Sequence, residues 1–137
     1  MKNILFNSGK HKPLPSLALL IMRVSFGSMM VTHGWPKLLS FIESPGSFPD
    51  PLHIGSSLSH GLTAFAEFIC AILIVIGLGT RWAAIPLMIA MAVASFIVHA
   101  GDPLGDKEMS LLYLTAFSAI LMLGAGSYSL DKAISGK

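Results

Sequence analysis

The chain has 137 residues, the length of one domain, of which 53% are apolar and only 12% charged, against roughly a quarter charged in an ordinary soluble domain. That balance points to an integral membrane protein. A formal charge of +2 with no basic run excludes a protein that tracks nucleic-acid phosphates, and a single cysteine, Cys70, excludes a disulfide framework or a paired-cysteine zinc site.

Residues 1–13 carry Lys2, Lys10 and Lys12 and no acid, like the start of a signal peptide. The apolar run that follows is too long for one and offers no small-x-small cleavage site, so it reads as an uncleaved first span behind a cytoplasmic tail. This run, residues 14–37, has the ~20-residue length that crosses a ~30 Å hydrocarbon core. It holds Arg23 near its middle and closes on His33-Gly34-Trp35-Pro36-Lys37. A charge at that depth costs about 2.5 kcal/mol or more, so Arg23 is expected to face a bundle interior and to have an anionic partner.

Residues 41–59 contain Pro45-Gly46, Pro49-Asp50-Pro51, Gly55 and a serine cluster, and read as a loop outside the lipid. Residues 62–78 form a second span with Glu67 inside it, and Gly77, Gly79 and Arg81 a tight turn after it. The third span, residues 83–100, tolerates Pro86 in its first turn and ends at His99. A Gly/Asp/Pro-rich break at 101–106 leads to a fourth span, residues 109–124, and a polar tail, residues 126–137.

Lysines and arginines favour the cytoplasm. With four spans, both tails and the 77–82 turn share one side, which holds Lys2, Lys10, Lys12, Arg81, Lys132 and Lys137, whereas the other side holds only Lys37 and Lys107 among several acids. The fold class is therefore all-α: an up-down-up-down four-helix bundle in the membrane, spanning residues 14–125, with both termini cytoplasmic.

Arg23, Gly27, Met30, Gly34 and Lys37 recur every three or four residues and share one stripe of the first helix, with His33 beside it. Glu67, His99 and Glu108 lie toward the same outer end of the bundle. Arg23 starts lower, but its stem can reach outward, so an Arg23–Glu67 ion pair is expected. Such a pair could merely lock the bundle, with the histidines capping helix ends; the functional alternative is an outward-facing polar pocket. There, histidines close to Glu67 and Glu108 would make ligand affinity depend on pH. Two histidines and two glutamates could in principle hold zinc or iron, yet no i,i+3 or i,i+4 pairing supports a metal site. The methionines read as apolar filler. Neither a nucleophile with a positioned base nor a flavin, haem or iron–sulfur motif is recognisable.

Arg23, His33-Gly34-x-x-Lys37-Leu38, Glu67, Gly77-Leu78-x-Thr80-Arg81, His99, Glu108, Leu111-Leu112-Tyr113 and Gly126-x-Tyr128-Ser129-Leu130-Asp131 together resemble the DoxX family of small four-helix bacterial membrane proteins. The resemblance implies the inner membrane as location. It also implies an accessory role in a redox system, because the family includes a subunit of a thiosulfate:quinone oxidoreductase. On this reading the chain is at most a subunit of an enzyme. Its ligand, a quinone or another small molecule, would be held by Arg23, His33, Lys37, Glu67, His99, Glu108 and Tyr113. Its partners would be the bilayer, a soluble or membrane oxidoreductase and, conceivably, further copies of itself. The competing roles are a small transporter or proton pathway using the same residues, and a scaffold without a ligand.

The lysine bias yields a direct test. Reporter fusions at Ser47 and at Lys137 are expected on opposite sides of the membrane; the same side for both would overturn the topology.

Overall fold

The first helix, α1 (Pro13–Glu43), buries Ser16, Leu19, Arg23, Gly27, Met30 and Gly34. Each step is three or four residues, so a single stripe carries all of its inward contacts. The computed structural model describes residues 13–136; the tail read at residues 1–12, and Lys137, lie outside them. Helix α1 has 31 residues, about 46 Å at 1.5 Å per residue, and so outruns a ~30 Å hydrocarbon core. It runs straight through Pro36, where the sequence suggested a close.

The second rod is continuous from Ser56 to Ile76. It comprises α2 (Ser56–Ala64), a π-helical segment (Phe65–Cys70) and α3 (Ala71–Ile76), and it takes in serines that had read as loop. After a turn at Gly77 and Gly79, the third rod comprises α4 (Thr80–Val93) and a second π-helical segment (Ala94–Val98). The fourth is α5 (Leu104–Leu123), and a short α6 (Leu130–Ser135) follows. The described residues contain no strand.

The first three rods are long and apolar enough to cross a membrane. Helix α5 opens with Asp106, Lys107 and Glu108, which leaves residues 109–123, about 22 Å of apolar helix, beside them.

The four rods share one core. Met30 from the first, Cys70 and Ile74 from the second, Ala84, Leu87 and Met91 from the third, and Tyr113, Phe117 and Ile120 from the fourth are in mutual contact. Helix α1 lies along the whole second rod, while α4 packs against the second rod and α5. Two glycines permit the close fit of α1. A Cβ on Gly34 would overlap the peptide group between Glu67 and Phe68, and one on Gly27 would come within 2.6 Å of Val75 Cγ2. Small residues at such crossings let helix backbones touch, which is how helices associate in a bilayer without a hydrophobic drive between them.

Arg23 corrects the expected pairing. It is 1% exposed, yet its guanidinium turns away from Glu67 toward the end of the bundle that carries the 77–79 turn. There Nε donates to Ile74 O at 3.1 Å and Nη2 to Val75 O at 3.2 Å, while Nη1 donates to Ala125 O at 2.5 Å and Tyr128 O at 2.9 Å. The first two acceptors belong to the last turn of α3, whose carbonyls lack intrahelical partners and form the negative end of the helix dipole.

Gly77, at φ +73, ends α3: Leu78 N donates to Leu73 O at 3.0 Å and Gly77 N to Ile74 O at 3.2 Å, the paired bonds of a Schellman cap. A side chain there would also come within 3.0 Å of Arg23 Cζ. Asp131 completes this end. Its N–H donates to Gly77 O at 2.8 Å, and its carboxylate accepts from Gly79 N at 2.7 Å and Thr80 N at 3.0 Å, satisfying the first amides of α4. Residues 126–131, expected as the start of a polar tail, are thus fastened to the core together with Ala125.

Replacing Arg23 by Met takes the guanidinium donor from four carbonyls, of which Ile74 O keeps only its bond from Gly77 N. Hydrogen bonds to a charged group contribute about 1.5–3 kcal/mol each, so a loss of ~3 kcal/mol or more is expected in detergent unfolding. Lys at this position, with a single donor centre, should recover little of it. Combining Arg23→Met with Glu67→Gln should give additive losses, because the two side chains do not meet.

Candidate ligand-binding site

At the opposite end of the bundle, four elements converge on a cavity of about 170 Å³. Helix α1 contributes Met30, His33 and Lys37, the continuation of its buried stripe beyond Gly34. The first π-helical segment contributes Glu67, the third rod Met91, Ala94 and His99, and α5 Asp106, Met109, Ser110 and Tyr113.

The chemistry centres on Glu67 and Lys37. The Glu67 side chain is 5% exposed and its Oε2 lies 2.5 Å from Lys37 Nζ, whose side chain is 34% exposed. A carboxylate buried among spanning helices must be compensated, and Lys37 does this from the side of the cavity nearer water. Two local features bring the partners together. The π-helical segment adds a residue to one turn and so changes which side chain that turn turns inward, a device recurrent at functional sites. Gly34, one turn before Lys37, lets α1 rest on the backbone of that same segment.

Tyr113 forms the inner wall. Its ring meets His33 edge-on at 6.0 Å and Phe26 edge-on at 5.8 Å, and stacks on Phe117 at 5.9 Å. Among the described residues its hydroxyl has no hydrogen-bond partner, and it lies within the electrostatic field of Glu67. On the outer wall His99 Nδ1 pairs with Asp102 Oδ2 at 2.8 Å, which leaves Nε2 available. Below it the hydroxyls of Ser95, fully buried, and Ser110 are 2.7 Å apart. Ser110 donates to Lys107 O at 2.9 Å, so the proton between the two hydroxyls comes from Ser95 and ties the third rod to α5.

Of the residues expected at the site, His33, Lys37, Glu67, His99 and Tyr113 line this cavity. Arg23 is at the far end of the bundle. Glu108 is exposed, and its place is taken by Asp106. Helix phase decides between those acids: counting back three, four and seven residues from Tyr113 gives Ser110, Met109 and Asp106, one face of α5. His99 meets Asp102 rather than Glu108.

Sequence reasoning also missed His60. It is fully buried between Phe41, edge-on at 5.3 Å, and Phe48, stacked at 4.9 Å. Its Nε2 lies 3.1 Å from Lys37 O; a carbonyl only accepts, so Nε2 carries the proton and holds the backbone from which Lys37 projects. Among the described residues, Nδ1 is buried without a hydrogen-bond partner. The sequence alone did not single it out, because Phe41 and Phe48 meet it only in the folded chain. Among the described residues, no three His, Cys, Asp or Glu side chains come together as a metal-ligand set.

The sequence model of the DoxX family matches residues 18–100. The chain belongs to the DoxX family. The matched stretch contains both partners of the Lys37–Glu67 pair, together with His33 and His99. Two proteins of Haemophilus influenzae (strain ATCC 51907 / DSM 11121 / KW20 / Rd), both named as uncharacterized, are similar along most of their length. One is 30% identical over 136 residues, covering 91% of this chain and 94% of the relative; the other is 29% identical over 126 residues, covering 86% and 83%. No solved structure matches the chain. Family membership together with three spanning-length helices makes this DoxX protein a membrane protein.

The Lys37–Glu67 contact has a measurable signature. Lys37→Met leaves the Glu67 carboxylate buried and alone, so each single replacement (Lys37→Met, Glu67→Gln) should cost more than half of what both together cost. The expected coupling is about 1–2 kcal/mol in detergent unfolding, less than for a fully dry pair because Lys37 is partly hydrated. Additive losses would show that the contact carries no energy.

Proposed function

We propose that this DoxX protein is an accessory subunit of a redox system in the bacterial inner membrane, holding the head group of a quinone-like ligand in the outward-facing cavity. The observation that carries the reading is the Lys37–Glu67 pair lining one cavity with a Tyr113 hydroxyl that hydrogen-bonds to none of the described residues. Ionisable residues among membrane-spanning helices mark functional sites by default, and these are arranged around a cavity rather than packed shut.

Lys37 N–H and Tyr113 O–H are donors suited to a carbonyl oxygen that gains negative charge when its ring is reduced. Glu67, and His99 oriented by Asp102, are the groups that exchange the accompanying protons with the outer side. The two electrons come from a partner oxidoreductase. The basic residues at the tails and the 77–82 turn favour cytoplasmic termini, which puts the cavity on the outer face.

A proton pathway through the bundle is the weaker reading. Among the described residues, the buried core between the cavity and Arg23 includes Met30, Cys70, Ala71, Ile74, Phe117 and Ile120, an apolar stretch between the two ends.

The test is titration of the detergent-solubilised protein with 2,3-dimethoxy-5-methyl-1,4-benzoquinone, a quinone head without a tail. Binding is expected in the parent, weakened at least tenfold by Lys37→Met or by Glu67→Gln and unchanged by Glu108→Gln. Equal affinity in the parent and in the Lys37 and Glu67 variants, or no binding to the parent, would overturn the reading.

A further inference from the structure

A second cavity, about 320 Å³, lies between the second and third rods beneath residues 51–54 of the loop. Its walls are apolar, built from Leu62, Phe65, Ala66, Pro86, Ile89 and Val93 among others. Ser59 and Thr63 also line it, but the Thr63 hydroxyl is spent on Ser59 O at 2.8 Å. Leu62, Phe65 and Ile89 are 51%, 47% and 57% exposed, so its mouth opens sideways, on the face of the spanning rods that meets hydrocarbon. The loop above it is tied down: the Asp50 carboxylate accepts from Ile54 N at 3.0 Å and Gly55 N at 2.8 Å, and Phe48 stacks on the buried His60.

The two cavities back onto each other. Ala66 lines the apolar groove and Glu67 the polar cavity; Ala90 lines the groove and Met91 the cavity; Val93 lines the groove and Ala94 the cavity. The partition is one seam between the rods, and the side chains along it, Ala66, Ala90 and Ala94, are the smallest that carry a Cβ. Ala66 and Ala94 also lie in the two π-helical segments, where the regular α-helical bond pattern is interrupted. The partition between a site rich in donors and a lipid-facing groove thus carries three alanines, beside Met91 and Val93, and is locally irregular.

We propose that this seam is a lateral portal, and that the ligand is a membrane-dissolved amphiphile whose polar, hydrogen-bond-accepting head sits against Lys37 and Tyr113 while its single hydrocarbon tail lies in the groove under residues 51–54. The inference rests on the functional reading above and adds the ligand's second half. A hydrocarbon tail is the occupant that the groove's position selects, because its mouth faces the bilayer and nothing charged lines it. Joining head and tail makes the second contact intramolecular, so a tailed ligand binds more tightly than its head alone.

The experiment compares the tailless quinone used above with its decyl-tailed counterpart, each corrected for partition into protein-free micelles. The parent is expected to bind the tailed probe at least tenfold more tightly. Ala90→Phe fills the groove from its own wall without entering the polar cavity; it should bring that advantage close to one while leaving affinity for the tailless probe unchanged. Leu62→Trp, at the exposed mouth, serves the same purpose should Ala90→Phe fail to fold. A parent with no tail advantage, or an advantage that persists in the folded groove variants, overturns the portal.

A tailed probe that depends on Ala90 but ignores Lys37→Met would show an acyl chain resting in the groove with no head in the cavity, and also overturns it. So would a dimer in native mass spectrometry that dissociates on Ala90→Phe, which would put a second copy of the chain in the groove. Failure of the pocket reading itself has a separate signature: a tailless probe that is indifferent to Lys37→Met.

Discussion

One buried guanidinium organises half of this protein. Arg23 gathers four carbonyl oxygens from two places, the last turn of α3 and residues 125 and 128 beyond α5. An isolated cation in a low-dielectric interior is prohibitively costly, so the geometry around it must be kept nearly complete. The Gly77 turn, the Asp131 contacts to Gly77, Gly79 and Thr80, and the Ser16–Ser127 hydroxyl contact at 3.0 Å all hold that shell in place. Because carbonyls accept all of these hydrogen bonds, the Glu67 carboxylate is not consumed by Arg23. Glu67 is left for Lys37 at the other end, and the bundle separates into a locked end and a chemically active one.

The apolar runs made the spanning rods legible, since a length of about twenty residues without charge has few other uses. The stripe on α1 was equally legible, because three- and four-residue spacing needs no tertiary information. It correctly put Met30 and Lys37 on one line, with His33 beside them. The partner of Arg23 was not legible. Its long side chain can turn toward either end of the helix, and the oxygens that attracted it are backbone atoms, which every residue possesses and no sequence marks. Asp106 and Glu108 sit two positions apart and so face different ways on a helix; choosing between them needed the phase of α5, which Tyr113 alone could have supplied. Proline is a frequent stop signal, yet α1 continues past Pro36, and no composition announces a π-helical turn.

Those turns are where fold and site meet. A π-helical segment is a poor way to build a helix, and two of them flank a single cavity here. One contains Glu67. The other contains Ala94 and the buried Ser95, whose link to Ser110 closes the third rod onto α5. Against the first of them rests Gly34, whose missing side chain lets α1 touch the irregular backbone directly. Regular geometry has been given up only where four elements must offer polar groups to one small volume.

The shell of Arg23 also bears on the order of synthesis. Two of its acceptors, Ala125 O and Tyr128 O, follow it by 102 and 105 residues, so the first helix enters the bilayer long before its charge can be fully satisfied. Until residues 125–128 arrive, that cation lacks two of its four acceptors. A chain interrupted between His99 and Ala125 would retain the cavity residues Lys37, Glu67 and His99 but not the full shell of Arg23. The late segment completes the shell: only a chain translated through it can bury Arg23 with all four acceptors in place.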